Sequence, residues 1–256
     1  MIDFQNTLKR KLAAGETALG LWVTLEAPSI TEIAVKLGFD WVGIDAEHGH
    51  LGLREIQEHV RLTRGTPTTP IVRIQEVQQG LIKRVLDIGA EGIMVPQVYS
   101  AEDVAEAVRL AKYPPWGIRG VGGERATGWG LDLAEYTAAA NRETLVIPLM
   151  ETVEAGEAID SIIAVPGVDA VYFGPVDYSS SAGHLGQWQG PGVAEKLLAI
   201  KDRIVARGMP CGIMGTNAEN ALLRESQGFR MICVGSDTGL LIRGSKEMLE
   251  AMRGGR

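Results

Sequence analysis

The chain has little cysteine, few aromatic residues and no long apolar run. Its 256 residues include two cysteines, and aromatic residues make up 5%. Two cysteines are too few for a disulfide framework, and Cys211 and Cys233 each lie in an apolar stretch typical of a buried strand. No apolar run approaches the ~20 residues that cross a bilayer, and the first residues do not resemble a signal peptide. We therefore expect a cytoplasmic protein with reduced, buried thiols.

An excess of positive charge is also absent. The chain has 25 basic and 32 acidic residues, a formal net charge of −7. This balance gives no electrostatic reason to bind nucleic acid or an anionic membrane, so we expect small-molecule partners. A chain of this length can bury a large core without disulfides or a structural metal. We expect residues 1–256 to form one domain.

Short apolar stretches of strand character alternate along the chain with stretches of helical spacing. Gly38 ends one helical pattern, and Ser29, Ser100 and Thr152 stand where helix N-caps are expected. Eight strands, each followed by a helix, predict an α/β fold, the (β/α)₈ TIM barrel. An open doubly wound sheet fits less well, because residues 25–29 form no glycine-rich dinucleotide turn. The predicted strands are residues 19–25, 41–45, 70–74, 92–98, 146–150, 170–174, 210–214 and 231–235.

Two acidic residues directly follow consecutive predicted strands. Active-site residues of such barrels lie at the C-terminal ends of the strands, so the carboxylates of Glu151 and Asp177 are expected close together on one face. Two oxygen ligands without a cysteine or histidine cluster suit Mg²⁺ or Mn²⁺. The alternative is that both are first-turn acids that stabilise helix N-termini.

Other polar residues lie at the ends of the second and third predicted strands. His48 is a candidate general acid or base, or a loop histidine bonded to a carbonyl. Asp45 could orient its imidazole or hold a metal-bound water, and Glu47 could do either or form a salt bridge. Arg73 ends an apolar strand and is a candidate clamp for a carboxylate or oxyanion; the alternative is a buried ion pair with Glu47 or Asp45. His59 lies in a helical pattern, and we expect it at the surface.

Two further patterns exclude specific chemistries. The glycine-rich residues 117–123 lack the lysine and the Ser/Thr of a phosphate-binding P-loop, and we interpret them as a flexible lid or an interface loop. No lysine lies in a predicted strand, so a Schiff-base mechanism has no candidate nucleophile at the barrel rim.

Together these motifs resemble the HpcH/HpaI aldolase family, the metal-dependent class II pyruvate aldolases. The resemblance is carried by residues 45–49, Arg73, and residues 113–120, 151–152 and 173–179. It implies a (β/α)₈ barrel assembled as a homohexamer, a trimer of dimers with the last helix exchanged between partners. It also implies a divalent metal ion, Mg²⁺, Mn²⁺ or Co²⁺, and reversible aldol cleavage of a 4-hydroxy-2-oxo acid to pyruvate and an aldehyde.

The resemblance also implies roles for single residues. Glu151 and Asp177 match the metal ligands, and His48 matches the acid/base histidine. Arg73 matches the arginine that contacts the keto acid. Asp87 matches an acid that reaches the histidine from a neighbouring subunit, a role that rests on the resemblance alone. With Asp45, the residues His48, Arg73 and Asp87 form the candidate catalytic set.

The substrate pocket implied by the resemblance includes two backbone positions. Gly174 and Val176 lie where family members offer N–H groups to the pyruvate carboxylate, and Asp177 borders the same pocket. Leu149 stands where relatives often carry glutamine, so a contact to substrate or metal-bound water is expected to be missing. The valine at 176, where alanine is common, is expected to narrow the pocket.

Two other functions stay open. A citrate-lyase-like or malyl-CoA-type lyase would act on a CoA thioester, but the sequence shows no basic groove for the CoA phosphates. A non-catalytic barrel could instead bind an acidic metabolite without turning it over. The identity of the aldehyde and the preferred metal do not follow from the sequence.

Overall fold

The structure, a computed structural model, describes residues 4–190 and 192–254. Eight parallel strands pair in chain order, and the last strand returns to pair with the first, so the predicted barrel is confirmed. Each observed strand overlaps a predicted one, although several are shorter. The strands are β1 Ala18–Val23, β2 Trp41–Asp45, β3 Thr69–Arg73, β4 Gly92–Val95, β5 Leu145–Met150, β6 Val171–Phe173, β7 Cys211–Met214 and β8 Met231–Ser236.

Helices follow the strands and surround the barrel. Ser100 and Thr152 are N-caps as predicted, each accepting a hydrogen bond from the helix backbone. The N-cap predicted at Ser29 is wrong, because proline fits the first helical position and the helix already begins at Pro28. In the described ranges no helix meets the length and hydropathy that crossing a bilayer requires. The helices are α1 Thr7–Ala13, α2 Pro28–Leu37, α3 Leu53–Thr63, α4 Gln79–Asp87, α5 Ala101–Ala111, α6 Leu133–Glu143, α7 Val153–Glu157, α8 Ile159–Ile162, α9 Pro175–Ser181, α10 Val193–Ala206, α11 Ala218–Ser226 and α12 Asp237–Gly254, with a 3₁₀ turn at Arg125–Thr127.

The inside of the barrel is a packed apolar core, and α1 closes one end of it. Leu8 and Leu12 of α1 are buried in the same cluster as Trp41 and Tyr172. The hydroxyl of Thr7 donates to the carbonyl of Pro67, just before β3, so α1 covers the N-terminal ends of the strands. The opposite end, where the strands finish, is left to form a site.

His59 is fully buried, so its expected surface position is wrong. In α3 its Nδ1 lies 2.8 Å from the hydroxyl of Thr31, and its Nε2 lies 3.1 Å from the carbonyl oxygen of Leu25. Both ring nitrogens are therefore hydrogen-bonded, which makes burial of the neutral ring tolerable. Burial lowers the pKa of His59 below its usual value.

Substitution of Gly20 tests how tightly the barrel interior is packed. A Cβ at this position would lie 2.0 Å from Cε2 of Trp41, far closer than van der Waals contact allows. We expect Gly20→Ala to destabilise the protein by about 3 kcal/mol, at the upper end for an overpacked core. Urea unfolding followed by circular dichroism measures this. Gly80→Ala in α4, where a Cβ meets no atom within 4 Å, is the control; equal stability of both variants would contradict the packing described here.

Candidate active site

Charged side chains gather at the C-terminal ends of β2, β3, β5 and β6. Asp45 and Arg73 are the last residues of β2 and β3 and are direct register partners. Glu151 follows β5 and is 4% exposed, whereas Asp177 lies in the first turn of α9 and is exposed. The structure therefore brings together the residues that the sequence placed at this rim.

Arg73 is held between two carboxylates. Its Nε and Nη2 donate to Oδ1 and Oδ2 of Asp45 at 3.0 and 2.5 Å, a bidentate pair. Its Nη1 lies 2.9 Å from Oε2 of Glu47. The buried ion pair anticipated as the alternative for Arg73 is thus present. The side chain of Arg73 is 11% exposed, so it still borders the open rim.

Trp22, on the inward side of β1, supports this ion pair and was not predicted as a site residue. Its indole N–H donates to Oδ2 of Asp45 at 3.2 Å, and its ring lies 5.1 Å below Cζ of Arg73. Burial alone would raise the pKa of Asp45, but the hydrogen bonds and charge of Arg73 and the indole N–H outweigh it and hold that pKa below its usual value. Asp45 is therefore ionised and orients Arg73.

Glu151 and Asp177 face each other across Gly174. A Cβ built on Gly174 would stand 2.9 Å from Oε2 of Glu151 and 3.8 Å from Oδ2 of Asp177, so both carboxylates border the same small space. The other oxygen of Glu151 accepts a 2.5 Å hydrogen bond from the backbone N–H of Gln97. Gln97 has a φ of 49°, and no side-chain pattern signals a contact made by its backbone.

The electrostatics of this space favour a cation. Burial raises the pKa of Glu151 to about 7; the Gln97 N–H opposes this rise, and Glu47 and Asp177 add to it. Oε2 of Glu47 is buried and, within the described ranges, has no hydrogen bond of normal geometry. An oxygen-binding dication would relieve this repulsion, so the residues fit such an ion. No three His, Cys, Asp or Glu side chains in the described residues form a metal-binding group.

His48 and Asp87 are not brought together within one chain. His48 is exposed, and no carboxylate of the described residues lies within ion-pair distance of its imidazole. Asp87 is the last residue of α4; the helices run antiparallel to the strands, so this position is at the opposite end of the barrel. Its carboxylate pairs with Arg119 at 2.8 Å.

The backbone at the start of α9 differs from expectation in one respect. The N–H of Gly174 donates to the carbonyl of Met150 at 3.1 Å, so it is already used within the sheet. The N–H of Val176 has no recorded partner among the residues described. Leu149 is buried in the same apolar cluster as Trp22.

We predict that Gly174→Ala weakens metal binding without unfolding the protein. The added methyl group would press on Oε2 and Cβ of Glu151, at 2.9 and 3.0 Å, and displace that carboxylate. The dissociation constant for Mn²⁺ should rise about 10-fold or more, the usual effect of disturbing groups that orient a metal ligand. Calorimetric titration measures it, with Gly80→Ala as the control because no atom lies within 4 Å of that site. Unchanged affinity in Gly174→Ala would contradict the placement of Glu151.

Comparison with known proteins agrees with this architecture. Residues 18–244 match the family model described as HpcH/HpaI aldolase/citrate lyase. The chain is 37% identical to the hydroxypyruvate/pyruvate aldolase of Pseudomonas aeruginosa, over 98% of this chain and 94% of that protein. It is 36% identical to a 4-hydroxy-2-oxovalerate aldolase of Novosphingobium aromaticivorans, over 97% and 95%. A family protein from Burkholderia cenocepacia superposes with a TM-score of 0.93 at 33% identity, covering 97% of this chain and all of that one.

Proposed function

Because the chain belongs to the HpcH/HpaI aldolase/citrate lyase family, we propose that it is a divalent-metal-dependent lyase that cleaves 4-hydroxy-2-oxo acids reversibly to pyruvate and an aldehyde. We assign this activity to residues 1–256 acting as one aldolase domain. The observation that carries the proposal is the pair Glu151 and Asp177 around Gly174, at the rim that also holds the guanidinium of Arg73. A cation held by these oxygens, together with the fixed positive charge of Arg73 at the same rim, would suit a substrate that gains negative charge as it reacts.

Glu151 and Asp177 would hold the ion, which can be Mg²⁺, Mn²⁺ or Co²⁺ because carboxylate oxygens discriminate weakly among them. When bound, the ion supplies a Lewis acid for the keto oxygen of the substrate. Arg73 adds positive charge beside that oxygen, and its bidentate pair with Asp45 fixes its orientation. The N–H of Val176 offers a hydrogen bond to the substrate carboxylate, and the missing side chain of Gly174 leaves room for it.

Carbon–carbon cleavage also needs a proton transfer at the hydroxyl group that becomes the aldehyde. His48 is exposed at the same rim, and we assign it this proton, taken up in cleavage and returned in aldol addition. An acid that orients the imidazole would have to come from a second copy of the chain, since none of the described residues supplies one. We assign that role to Asp87 of the neighbouring copy.

We propose that the protein works as a homo-oligomer, up to the homohexamer that the family resemblance implies. In α12, large apolar side chains are exposed at values such as 64% for Leu241 and 67% for Met252. An 18-residue helix with this much exposed apolar surface suits burial against another copy. We place the protein in the cytoplasm, where the free thiols of Cys211 and Cys233 stay reduced.

The experiment is a retro-aldol assay with a panel of 4-hydroxy-2-oxo acids and pyruvate release as the signal. The metal-free protein is assayed before and after addition of Mg²⁺, Mn²⁺ or Co²⁺. We expect pyruvate from at least one substrate only when metal is present. Pyruvate release that survives exhaustive chelation, or a covalent adduct trapped by borohydride with pyruvate, would contradict the proposal.

The same assay separates the other functions. A CoA-dependent lyase would cleave CoA thioesters and leave the free hydroxy-keto acids intact. A non-catalytic barrel would bind pyruvate and metal in calorimetry but release no product with any substrate. Either result would replace the aldolase function.

A further inference from the structure

We infer that Arg119 is a positioning residue for the reaction, holding Asp87 ready for the active site of a neighbouring copy. The inference rests on the proposed function, which assigns Asp87 to the histidine of that copy. A buried ion pair lies at the end of the barrel opposite the site. Arg119 has a completely buried side chain, and its Nη2 donates to Oδ1 of Asp87 at 2.8 Å.

Two tyrosine rings fix the guanidinium of Arg119. Its Cζ lies 4.6 Å from the ring centre of Tyr113 and 5.7 Å from that of Tyr136. The hydroxyl of Tyr136 also accepts long hydrogen bonds of 3.4 Å from both terminal nitrogens. A planar guanidinium held against aromatic faces can donate in few directions, and one of these directions is occupied by Asp87.

The backbone of Arg119 is also fixed. Its N–H donates to the carbonyl of Lys112 at 2.9 Å, and the N–H of Ile118 donates to the carbonyl of Arg109 at 2.8 Å. A Cβ at Gly117 would stand 2.2 Å from that same Arg109 oxygen, so only glycine fits this close approach. The start of the loop 117–123 is therefore anchored to the end of α5, which argues against a freely moving lid.

Stability alone is a poor reason for this arrangement. Buried ion pairs are often no more stable than apolar side chains of similar volume. In addition, Nε of Arg119 is buried and has no hydrogen-bond partner in the described part of the chain, which carries a further cost. The pair is better explained by orientation of the carboxylate than by its contribution to folding.

The carboxylate of Asp87 is hydrogen-bonded but remains partly exposed to solvent. Its side chain is 15% exposed, and in the described residues its one recorded hydrogen bond uses Oδ1. Oδ2 faces the loop at Gly122, where a Cβ would lie 3.8 Å away. In the same loop the apolar side chains of Ile118 and Val121 are 41% and 59% exposed. Such a surface suits contact with a second copy, to whose unpaired His48 the carboxylate would be presented.

The test is a set of variants in the retro-aldol assay with saturating Mn²⁺. If Arg119 acts through Asp87, Arg119→Met and Asp87→Asn should each lower kcat by about 10-fold, the usual effect of removing an orienting partner. KM and the oligomer mass from light scattering should stay near wild type. The Tm of both single variants should fall, because each leaves a buried charge without its partner, so the assay is run well below the lower Tm. The double variant should be no slower than Asp87→Asn, because the two residues form one unit.

Arg119→Lys, which keeps the charge, should be partly active and decides the question if Arg119→Met does not fold. Arg109→Met, in an exposed pair with Glu106, is the control.

The possible outcomes distinguish failure of the proposed function from failure of the inference about Arg119. Without pyruvate release by the wild type, the proposed function fails and this inference fails with it. If the wild type is active and Asp87→Asn is slow while Arg119→Met and Arg119→Lys match wild type, the inference alone is overturned. Multiplied losses in the double variant, or a loss explained by unfolding at the assay temperature or by smaller oligomers, would also overturn it.

Discussion

Glu151→Gln is expected to abolish metal-dependent cleavage and, at the same time, to stabilise the metal-free protein. Activity should fall about a thousand-fold or more, because Lewis-acid stabilisation is worth several kcal/mol and each 1.4 kcal/mol is a factor of ten. Glutamine keeps the size of the side chain and can still accept the N–H of Gln97. It removes the negative charge, which both binds the ion and repels the nearby carboxylates.

The gain in stability depends on pH in a defined direction. The pKa of Glu151 is about 7 in the folded chain, above its ordinary value of 4.5. Between these two values the unfolded chain loses this proton while the folded chain keeps it, so the stability of the metal-free wild type falls as pH rises. Glu151→Gln does not titrate, so its advantage should grow through this window. Above pH 7 it should reach about 1–3 kcal/mol, since each pKa unit corresponds to about 1.4 kcal/mol.

Urea unfolding of metal-free protein at several pH values measures this effect. Glu154→Gln is the control, because Glu154 lies three residues further along the chain and is exposed in α7. The control should follow the wild type at every pH and remain active. A Glu151→Gln variant that is less stable than wild type above pH 7, or that retains metal-dependent activity, would contradict the account.

Arg73→Met is expected to cost both stability and activity. It would leave the carboxylates of Asp45 and Glu47 buried without their counter-charge, and breaking a buried ion pair in this way costs about 3–5 kcal/mol. Cleavage should also be lost with the positive charge of the guanidinium. In the described residues no other arginine or lysine forms an ion pair with these two carboxylates, so none replaces that charge. Because Arg73 is bidentate, Arg73→Lys should restore part of the stability but little of the activity.

Chemical denaturation and the retro-aldol assay together test this prediction. Arg109→Met is a suitable control, since that arginine pairs with Glu106 on the exposed face of α5 and its loss should leave both measurements unchanged. An Arg73→Met variant with wild-type stability would show that Asp45 and Glu47 do not depend on the guanidinium. An active Arg73→Met variant would remove Arg73 from the mechanism.

Much of the fold could be predicted because parallel strands buried on both faces leave short apolar stretches in the sequence. The structure confirms the alternation of strands and helices and the barrel that follows from it. Helix α1 was missed, because Thr7–Ala13 has two basic residues in its last turn and only Leu8 and Leu12 as buried positions. Seven residues are too few to show a helical period clearly. The position of α1 is set by the open end of the barrel at the N-terminal ends of the strands. A local sequence pattern carries no information about that tertiary feature.

The site could be predicted where a side chain ends a strand, as for Asp45 and Arg73, or directly follows one, as for Glu151. The contribution of Trp22 is harder to see, because an inward tryptophan in an apolar strand resembles any core residue until its N–H is seen to meet Asp45. Gln97 acts through its backbone and leaves no signal in its side chain. The pairing of Asp87 with Arg119 joins residues 32 positions apart and follows only from the tertiary structure.

The claim on which the function depends is that Glu151 and Asp177 together hold a divalent ion. Titration of the metal-free protein with Mn²⁺, with the free ion measured by its electron paramagnetic resonance signal, tests this without any substrate. We predict one bound ion per chain in the wild type and in Asp87→Asn, and loss of that binding in Asp177→Asn and Glu151→Gln. A wild type that leaves all the Mn²⁺ free, or an Asp177→Asn variant that binds it as the wild type does, would contradict the account.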